Sequence, residues 1–289
     1  MIKARLLSVA MSFARKAPAP VTRTVARGLA ALASLTLRDR RRILLDNLSR
    51  TAPEATPAQR SRLARNTFRH IAECQVDLFR LIGQAPNEIP AMIDVRGKDH
   101  IDAALSLGRG LIIVTGHLGN YELGAAWLAS LGYPAHAVVE DVEPPVLALL
   151  EQYRTATGMR TISRNRGARD AYRVLKSGET LLLVADRVIG DASEGIEVPF
   201  CEGRRAVPRG PAQLALATGA PIIVGSMVRT PSSARRYRLV LEPPIMPDGI
   251  EPDAVVTLTR RITDRLAASV REHPDQWFVF QPGWITGER

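Results

Sequence analysis

The stretch GLIIVTGHLGNYELGAAWLAS (Gly110–Ser130) decides the fold, because a strand pattern changes into a helix pattern within it. The run from Leu111 to Thr115 is short, apolar and β-branched, which is typical of a strand buried on both faces. A helix-like pattern fills the end of the stretch. His117 stands between the two, at the carboxyl end of the strand, where ligands bind in open α/β sheets. Gly116 and Gly119 allow a tight turn there and a close approach of substrate.

Strand and helix patterns alternate from about residue 95 onward. The further predicted strands are 135–140, 179–186, 221–229 and 236–243. The further predicted helices are 144–158, 170–178, 211–219 and Ala254–Glu272. This alternation predicts an α/β fold with a mostly parallel central sheet that is covered by helices on both faces.

The first 90 residues contain helix patterns only. Thr56 and Gln59 form a capping box, so a helix is predicted to begin there and to continue to Gly83. We therefore predict a helical extension over residues 1–90 and an α/β domain over residues 91–289.

The basic charge of the protein is concentrated in this extension. The formal net charge is +10, yet residues 1–50 alone hold eleven basic residues against two acids, Asp39 and Asp46, which is a net of +9. A nucleic-acid enzyme would spread its basic residues over the fold and interleave them with aromatic residues, so no nucleic-acid partner is predicted. A basic terminus favours an anionic surface as the partner.

Two apolar blocks lie between these charges, Leu6–Ala14 and Gly28–Leu37. Neither reaches the roughly 20 apolar residues that a bilayer-spanning helix needs. Apolar stripes flanked by Arg and Lys are typical of helices that lie among lipid headgroups, where each basic residue contributes about 1 kcal/mol at an anionic leaflet. We predict peripheral or monotopic binding to the cytoplasmic face of the plasma (inner) membrane. An ordinary helical cap with a solvated basic face is the alternative.

Glu122 follows His117 by five residues, and the spacing decides whether their side chains can meet. Five residues of one helix turn through about 500°, which would leave the side chains roughly 140° apart. They can meet only if His117 precedes the helix, and Asn120 is a good N-cap for a helix that begins after it. The predicted pair is a general base, His117, whose tautomer Glu122 fixes. A helix-capping histidine beside an exposed glutamate is the alternative.

Asp186 ends a predicted strand and is followed by Arg187, so it should open on the same edge of the sheet as His117. A turn residue that merely ends the strand is the alternative. The sequence contains no Gly-x-Ser-x-Gly elbow, phosphate loop or dinucleotide fingerprint. Cys74 and Cys201 match neither a disulfide framework nor a zinc site. No metal or cofactor is predicted, and a base without a protein nucleophile indicates direct transfer to a substrate hydroxyl.

Four blocks, in this order, resemble the bacterial lipid A biosynthesis acyltransferase family, whose wider relatives are the glycerolipid acyltransferases. The blocks are GHLGNYE (Gly116–Glu122), LLLVADR (Leu181–Arg187), EVPFCEGRRAVPRGPAQLALATGAPII (Glu197–Ile223) and HPDQWFVFQPGW (His273–Trp284). The second block, the GIEVPF run and the Gln-Pro-Gly-Trp ending look closest to the phosphatidylinositol mannoside acyltransferase branch.

The resemblance implies an α/β/α sandwich of the glycerolipid acyltransferase type. It also implies transfer of a fatty acyl group from a thioester, of coenzyme A or of acyl carrier protein, to a hydroxyl of a phosphatidylinositol mannoside-like or lipid A-like glycolipid. His117 takes the base position, Glu122 the orienting position and Asp186 an acidic position near the acceptor. A thioester is already activated, so no covalent acyl-enzyme is needed. Backbone N–H groups near Gly119 are expected to stabilise the oxyanion.

The residues predicted to bind substrate are Asn120, Arg154, Arg164, Asp186, Arg187 and Gly203. The arginines suit phosphate on the acceptor lipid or on the pantetheine arm of the donor, although a solvated basic face is the alternative. Gly203 ends FCEG where the family usually has Phe-Phe-Gly, and Asp186 stands where the mannoside branch usually has Glu. Both departures concern the shape of the acceptor pocket.

Two other functions compete with this one. A lysophospholipid or glycerol-phosphate acyltransferase would use the same chemistry on a glycerol hydroxyl. A non-enzymatic protein that binds anionic membranes would keep the basic terminus but would leave His117 and Glu122 without a role.

Overall fold

The computed structural model describes residues 2–81, 88–139, 151, 154–163, 167–190, 192–231, 235–249 and 252–285. The helices in this part of the chain are α1 (Ile2–Lys16), α2 (Ala19–Thr36), α3 (Arg38–Thr51), α4 (Pro57–Leu81), α5 (Lys98–Leu105), α6 (Tyr121–Ser130), α7 (Gly167–Lys176), α8 (Gly210–Thr218) and α9 (Ala254–Glu272). The strands are β1 (Ile93–Arg96), β2 (Leu111–Thr115), β3 (Ala135–Val139), β4 (Arg160–Ser163), β5 (Thr180–Val184), β6 (Gly195–Phe200), β7 (Gly203–Pro208), β8 (Ile222–Arg229) and β9 (Tyr237–Leu241).

Seven strands form the central sheet in the order β1-β9-β8-β2-β5-β3-β4. Neighbouring strands run parallel except β8 and β9, which pair antiparallel. The predicted α/β fold with a mostly parallel sheet is therefore confirmed. Strand β2 lies between β8 and β5, which places its carboxyl end near the middle of the sheet edge.

Each face of the sheet carries its own apolar core, so the domain has three layers. Successive side chains of a strand point to opposite faces. Ile112 and Val114 of β2 therefore pack into one core with residues of α7, α8 and α9, while Ile113 packs into the other with α5 and α6. Burial on both faces is the reason that β2 is a continuous apolar run.

Several predicted local features are confirmed. In the capping box, Thr56 N–H donates to Oε1 of Gln59 at 2.7 Å, and Gln59 N–H donates to Oγ1 of Thr56 at 3.3 Å. The last long helix has the predicted bounds, Ala254–Glu272.

The predicted helix over 144–158 lies largely outside the described residues. The hairpin of β6 and β7 was not predicted, because each strand contains a proline and β7 has an arginine, Arg205, at a buried position.

The N-terminal helices pack mainly through α2 and α4. The α2 residues that face α4 are small, and they are Thr22, Ala26, Ala30 and Ser34. Among the described helices, none combines the length and the apolar character that crossing a membrane requires. Strand β1 begins at Ile93, but the division into two domains at residue 90 stays a prediction.

A C-terminal segment, residues 273–285, connects these helices to the sheet. The side-chain amide of Asn47 on α3 donates to the carbonyl of Val279 at 2.9 Å. The rings of Phe68 on α4 and Phe280 lie 5.7 Å apart. The segment thus lies between the helical part and the carboxyl edge of the sheet, where His117 is found.

Candidate active site

His117 lies in the loop that joins β2 to α6, and two glycines shape this loop. A Cβ atom at Gly116 would lie 3.1 Å from Oδ2 of Asp186. Gly119 has a φ of +58°, and a Cβ atom there would lie 1.9 Å from the carbonyl oxygen of Met227. Gly119 therefore needs glycine, as the predicted tight turn requires, while a side chain at Gly116 would fit only if Asp186 moved slightly.

The C-terminal segment holds the same loop through its main chain. Gly119 N–H donates to the carbonyl of Gln276 at 2.8 Å, and Phe278 N–H donates to the carbonyl of His117 at 2.7 Å. This N–H of Gly119 already has an acceptor, so the expected stabilisation of an oxyanion by N–H groups near Gly119 would have to come from its neighbours and stays a prediction. The loop is a rigid support for the histidine.

A buried carboxylate, Asp186, holds the His117 imidazole in place. Asp186 lies just beyond β5 and is completely buried. Its Oδ1 lies 2.7 Å from Nδ1 of His117, and its Oδ2 accepts the His117 backbone N–H at 2.8 Å. Oδ2 also accepts the indole N–H of Trp277 at 2.7 Å. Three hydrogen bonds therefore fix both oxygens of the carboxylate.

These contacts decide the charge state of Asp186. Burial alone would raise the pKa of Asp186, but the attraction of His117 and the hydrogen bonds from His117 and Trp277 outweigh it and hold the pKa below its usual range. An ionised Asp186 accepts the proton on Nδ1, which leaves the lone pair on Nε2 of His117. The imidazole is about one fifth exposed, so substrate can reach it.

The orienting acid is therefore Asp186, and the prediction that Glu122 has this role is corrected. Glu122 is the second residue of α6, and its carboxylate binds the guanidinium of Arg154 at 2.7 Å and 3.4 Å. The reason is the register of the sheet, which brings Asp186 to Nδ1 of His117. Complete burial also excludes the predicted contact between Asp186 and the acceptor.

Asn120 has a structural position rather than an open one. It is the predicted N-cap of α6, since its Oδ1 accepts the N–H of Leu123 at 3.3 Å. Its side-chain amide donates to the hydroxyl of Tyr237 at 3.2 Å, and the residue is only 4% exposed. The geometry therefore contradicts a direct contact of Asn120 with substrate in this state.

The other predicted substrate contacts are scattered. Arg154 is nearly buried in its pair with Glu122. Arg187 follows Asp186 directly and is half-buried. Gly203 begins β7, where a Cβ atom would lie 2.8 Å from the ring of Trp284. Arg164 lies outside the described residues.

Two aromatic residues at the site were missed from the sequence. Trp277 donates to Asp186, and the ring of Tyr121 meets the His117 ring edge-on at 5.5 Å. Trp277 belongs to the C-terminal block HPDQWFVFQPGW, which the sequence links to the family but not to a position in space. The antiparallel bridge between Leu118 and Trp277 brings that block to the β2–α6 loop that carries His117.

Cys201 does not have the properties of a nucleophile. It lies in the turn between β6 and β7, and its thiol contacts the carbonyl of Ala267 at 3.8 Å. Burial raises the pKa of Cys201 to about 11, so little thiolate exists near neutral pH. This agrees with direct transfer of a group between substrates.

An apolar cavity of about 60 Å³ lies between α6 and the sheet, next to the β2–α6 loop that carries His117. Thr115 and Tyr121 line the part that belongs to the loop and its flanks. Gly124, Trp127 and Leu241 are among the residues that line the rest. The cavity suits a hydrocarbon chain better than a polar group.

A histidine whose Nδ1 is held by a buried carboxylate at the edge of an α/β sheet has the arrangement that a general base in group transfer requires. The sequence profile of the bacterial lipid A biosynthesis acyltransferase family matches residues 4–286. The chain therefore belongs to this family and is an acyltransferase of lipid biosynthesis. The predicted family is confirmed, and the non-enzymatic alternative is excluded.

The chain is similar to several known proteins, including the following three. The phosphatidylinositol mannoside acyltransferase of Mycolicibacterium smegmatis is 28% identical over 244 residues, covering 83% of this chain and 78% of that protein. The lipid A biosynthesis lauroyltransferase of Escherichia coli is 23% identical over 227 residues, covering 78% and 74%. The crystal structure of the 1-acyl-sn-glycerophosphate (LPA) acyltransferase from Thermotoga maritima aligns with a TM-score of 0.41 and 14% identity, covering 93% and 97%.

Proposed function

We propose that the protein transfers a fatty acyl group from an acyl thioester to a hydroxyl of a glycolipid at a membrane surface. The observation that carries this proposal is the hydrogen bond between Nδ1 of His117 and Asp186, which leaves Nε2 as a base at the sheet edge. A hydroxyl group is a weak nucleophile until a base takes its proton.

The proposed reaction needs no acyl-enzyme. Nε2 of His117 takes the proton of the acceptor hydroxyl while the oxygen attacks the thioester carbonyl. The carbon–sulfur bond then breaks, and the imidazolium returns the proton to the thiolate that leaves. Asp186 stabilises the imidazolium between these steps and does not itself take the proton.

The apolar cavity is the proposed binding site for part of the acyl chain. It borders the β2–α6 loop through Thr115 and Tyr121, so a chain that enters it has its carbonyl end near His117. The donor is the thioester of coenzyme A or of acyl carrier protein. Arg187, half-buried beside Asp186, is proposed to contact a phosphate of donor or acceptor.

The glycolipid acceptor is proposed from the relatives. The sequence is similar to that of a phosphatidylinositol mannoside acyltransferase over most of both chains. It is less similar to a lipid A lauroyltransferase. A sugar-bearing lipid of the mannoside type is therefore the first acceptor to test, with a lipid A-like acceptor as the second.

Helix α2 is the proposed membrane contact. Its small face packs on α4, while its large apolar side chains are exposed, and these are Val21, Val25, Leu29, Leu32 and Leu35. Exposed Arg15, Lys16 and Arg38 lie close in sequence to the two ends of the helix. An apolar stripe with basic flanks suits the anionic headgroup region of the inner membrane.

The test is an acceptor panel with labelled acyl-CoA and labelled acyl carrier protein. Phosphatidylinositol mannoside, a lipid A precursor and lysophosphatidic acid are compared as acceptors, with wild type and the His117→Ala variant. We expect the wild type to acylate a glycolipid and the His117→Ala variant to have no activity on it. Preference for lysophosphatidic acid, or full activity of the variant, would overturn the proposal.

A further inference from the structure

Arg205, on strand β7, is a buried cation with an unusual set of neighbours. The residue is only 2% exposed, and its Nε and Nη1 atoms are buried without a hydrogen-bond partner. Burying an incompletely paired guanidinium costs free energy. A residue with this cost is expected to make other contacts that offset it.

Aromatic rings provide those contacts. The guanidinium carbon of Arg205 lies 4.7 Å from the ring centroid of Trp284 and 5.1 Å from that of Trp277. Phe200 stacks on Trp277 with a centroid distance of 5.4 Å and an interplanar angle of 26°. A planar guanidinium over indole rings is attracted by their π-electrons, more strongly where water is excluded. Gly283 provides the space for the guanidinium, because a Cβ atom at this position would lie 2.5 Å from Nη2 of Arg205.

The cluster ends at the catalytic carboxylate. The indole N–H of Trp277 donates to Oδ2 of Asp186, whose other oxygen binds His117. Arg205 therefore contacts the ring whose orientation decides whether this hydrogen bond is straight. Opposite charges also attract here. Burial lowers the pKa of Arg205, and the negative Asp186 opposes that effect.

We propose that Arg205 is a positioning residue for acyl transfer, which fixes the Trp277 indole and through it the His117–Asp186 pair. The inference rests on the proposed function, in which His117 is the base. Because Arg205 is buried, it does not contact the substrate. Arg204, the preceding residue on β7, is half-exposed and pairs with Glu197, so it provides a matched control.

The experiment compares Arg205→Met and Arg205→Lys with Arg204→Met, His117→Ala and wild type in the acyl transfer assay. For Arg205→Met we expect kcat to fall about tenfold to hundredfold with little change in KM, because the base is displaced rather than the substrate site. Arg205→Lys keeps the positive charge but not the planar guanidinium, so its kcat should lie between those of Arg205→Met and wild type. Arg204→Met should retain wild-type kcat.

Two further readouts separate positioning from stability. The Trp277 indole N–H resonance in a ¹⁵N NMR spectrum should move in Arg205→Met and not in Arg204→Met. In a Trp277→Phe background, Arg205→Met should lower kcat little further, because both substitutions act through the hydrogen bond of the Trp277 indole to Asp186. Should methionine prevent folding, Arg205→Lys gives the same comparison in both backgrounds.

The outcomes are distinguishable from a failure of the proposed function. If His117→Ala is inactive and both Arg205 variants keep wild-type kcat and the wild-type indole resonance, the positioning role is wrong. Additive losses with Trp277→Phe would also overturn it. If His117→Ala is fully active, the proposed function itself fails.

Discussion

His117 and Asp186 occupy equivalent positions on neighbouring parallel strands. Thr115 of β2 pairs with Val184 of β5, and each functional residue lies two positions beyond its paired residue. Equal register at the carboxyl edge of the sheet brings Nδ1 of His117 to 2.7 Å from Oδ1 of Asp186. The backbone of the sheet therefore sets the distance between base and acid.

Replacement of Asp186 should separate the orienting role from binding. In Asp186→Asn the Nδ1 proton loses its anionic acceptor, so the tautomer and the imidazolium are less stable, and we expect kcat to fall about 1,000-fold with little change in KM. Steady-state kinetics with acyl-CoA measure this. Asp186→Glu restores the charge and should recover part of the activity. Wild-type kcat in Asp186→Asn would contradict the assignment.

The ion pair of Glu122 and Arg154 should act as one unit. Both side chains are largely buried, so removal of either charge takes a buried charged partner from the other, at a cost of about 3 kcal/mol. We expect Glu122→Gln and Arg154→Gln each to lower the unfolding free energy, and the double variant to lose less than the sum. Urea unfolding gives the coupling energy. Additive losses would mean that the two side chains do not stabilise the fold as a pair.

The apolar cavity next to the β2–α6 loop should limit the length of the acyl chain. Gly124 lines it and has room for a Cβ atom, 3.6 Å from Cε of Met227. We expect Gly124→Leu to shift the preferred donor to a chain shorter by about two carbons or more, because the new side chain fills space that methylene groups would occupy. A series of acyl-CoA chain lengths measures the shift. Ala103→Leu, at an exposed position on α5, is the control.

The exposed stripe of α2 should mediate vesicle binding. In the double variant Leu29→Ser and Leu32→Ser, the loss of two exposed apolar side chains should weaken binding to anionic vesicles about tenfold or more. Sedimentation with vesicles of known anionic lipid content measures it. Salt should also weaken binding of the wild type. Leu107→Ser, exposed near the end of α5, should bind normally, and salt-insensitive binding would contradict the electrostatic part.

Docking of α2 should depend on pH through Glu73 of α4, whose carboxylate pairs with Arg27 of α2. Burial would raise the pKa of Glu73, but Arg229 and Arg27 outweigh it and the pKa is lowered from its ordinary value of 4.5. Because the folded-state pKa is the lower one, this contribution to stability is present above pH 4.5 and is lost as the pH falls through the folded-state pKa.

Buried Arg229 of β8 has its Nη2 at 3.0 Å from Oε2 of Glu73. We therefore expect Glu73→Gln to lower the unfolding free energy by about 2 kcal/mol at neutral pH, because Arg229 loses a charged partner. The difference from wild type should shrink in acid. Urea unfolding at neutral pH, and again at the lowest pH at which both proteins fold, measures it. A constant difference would mean that the Glu73 charge does not hold the helices together.

The positions of His117 and Asp186 could be predicted from the sequence, because each follows a buried apolar strand. The choice between Glu122 and Asp186 as orienting acid could not. Glu122 is nearer along the chain, but the carboxylate that binds Nδ1 is decided by which strand neighbours β2. That order depends on tertiary packing of the strands, which local patterns do not record.

The aromatic cluster could not be predicted for a related reason. A tryptophan in a C-terminal block is typical of a buried core, and nothing near Trp277 in the sequence indicates an acidic partner. Arg205 looks like one more exposed arginine in a basic run, although Arg204 and Arg205 point to opposite faces of β7. Only the fold distinguishes them.

The hydrogen bonds at the carboxylate span 69 and 91 positions of the chain, to His117 and to Trp277. Contacts this distant in sequence require large loops to close, and such closures are slow. The enzyme is therefore expected to gain its activity after most of its secondary structure has formed. During refolding, the recovery of turnover should lag behind the recovery of circular dichroism.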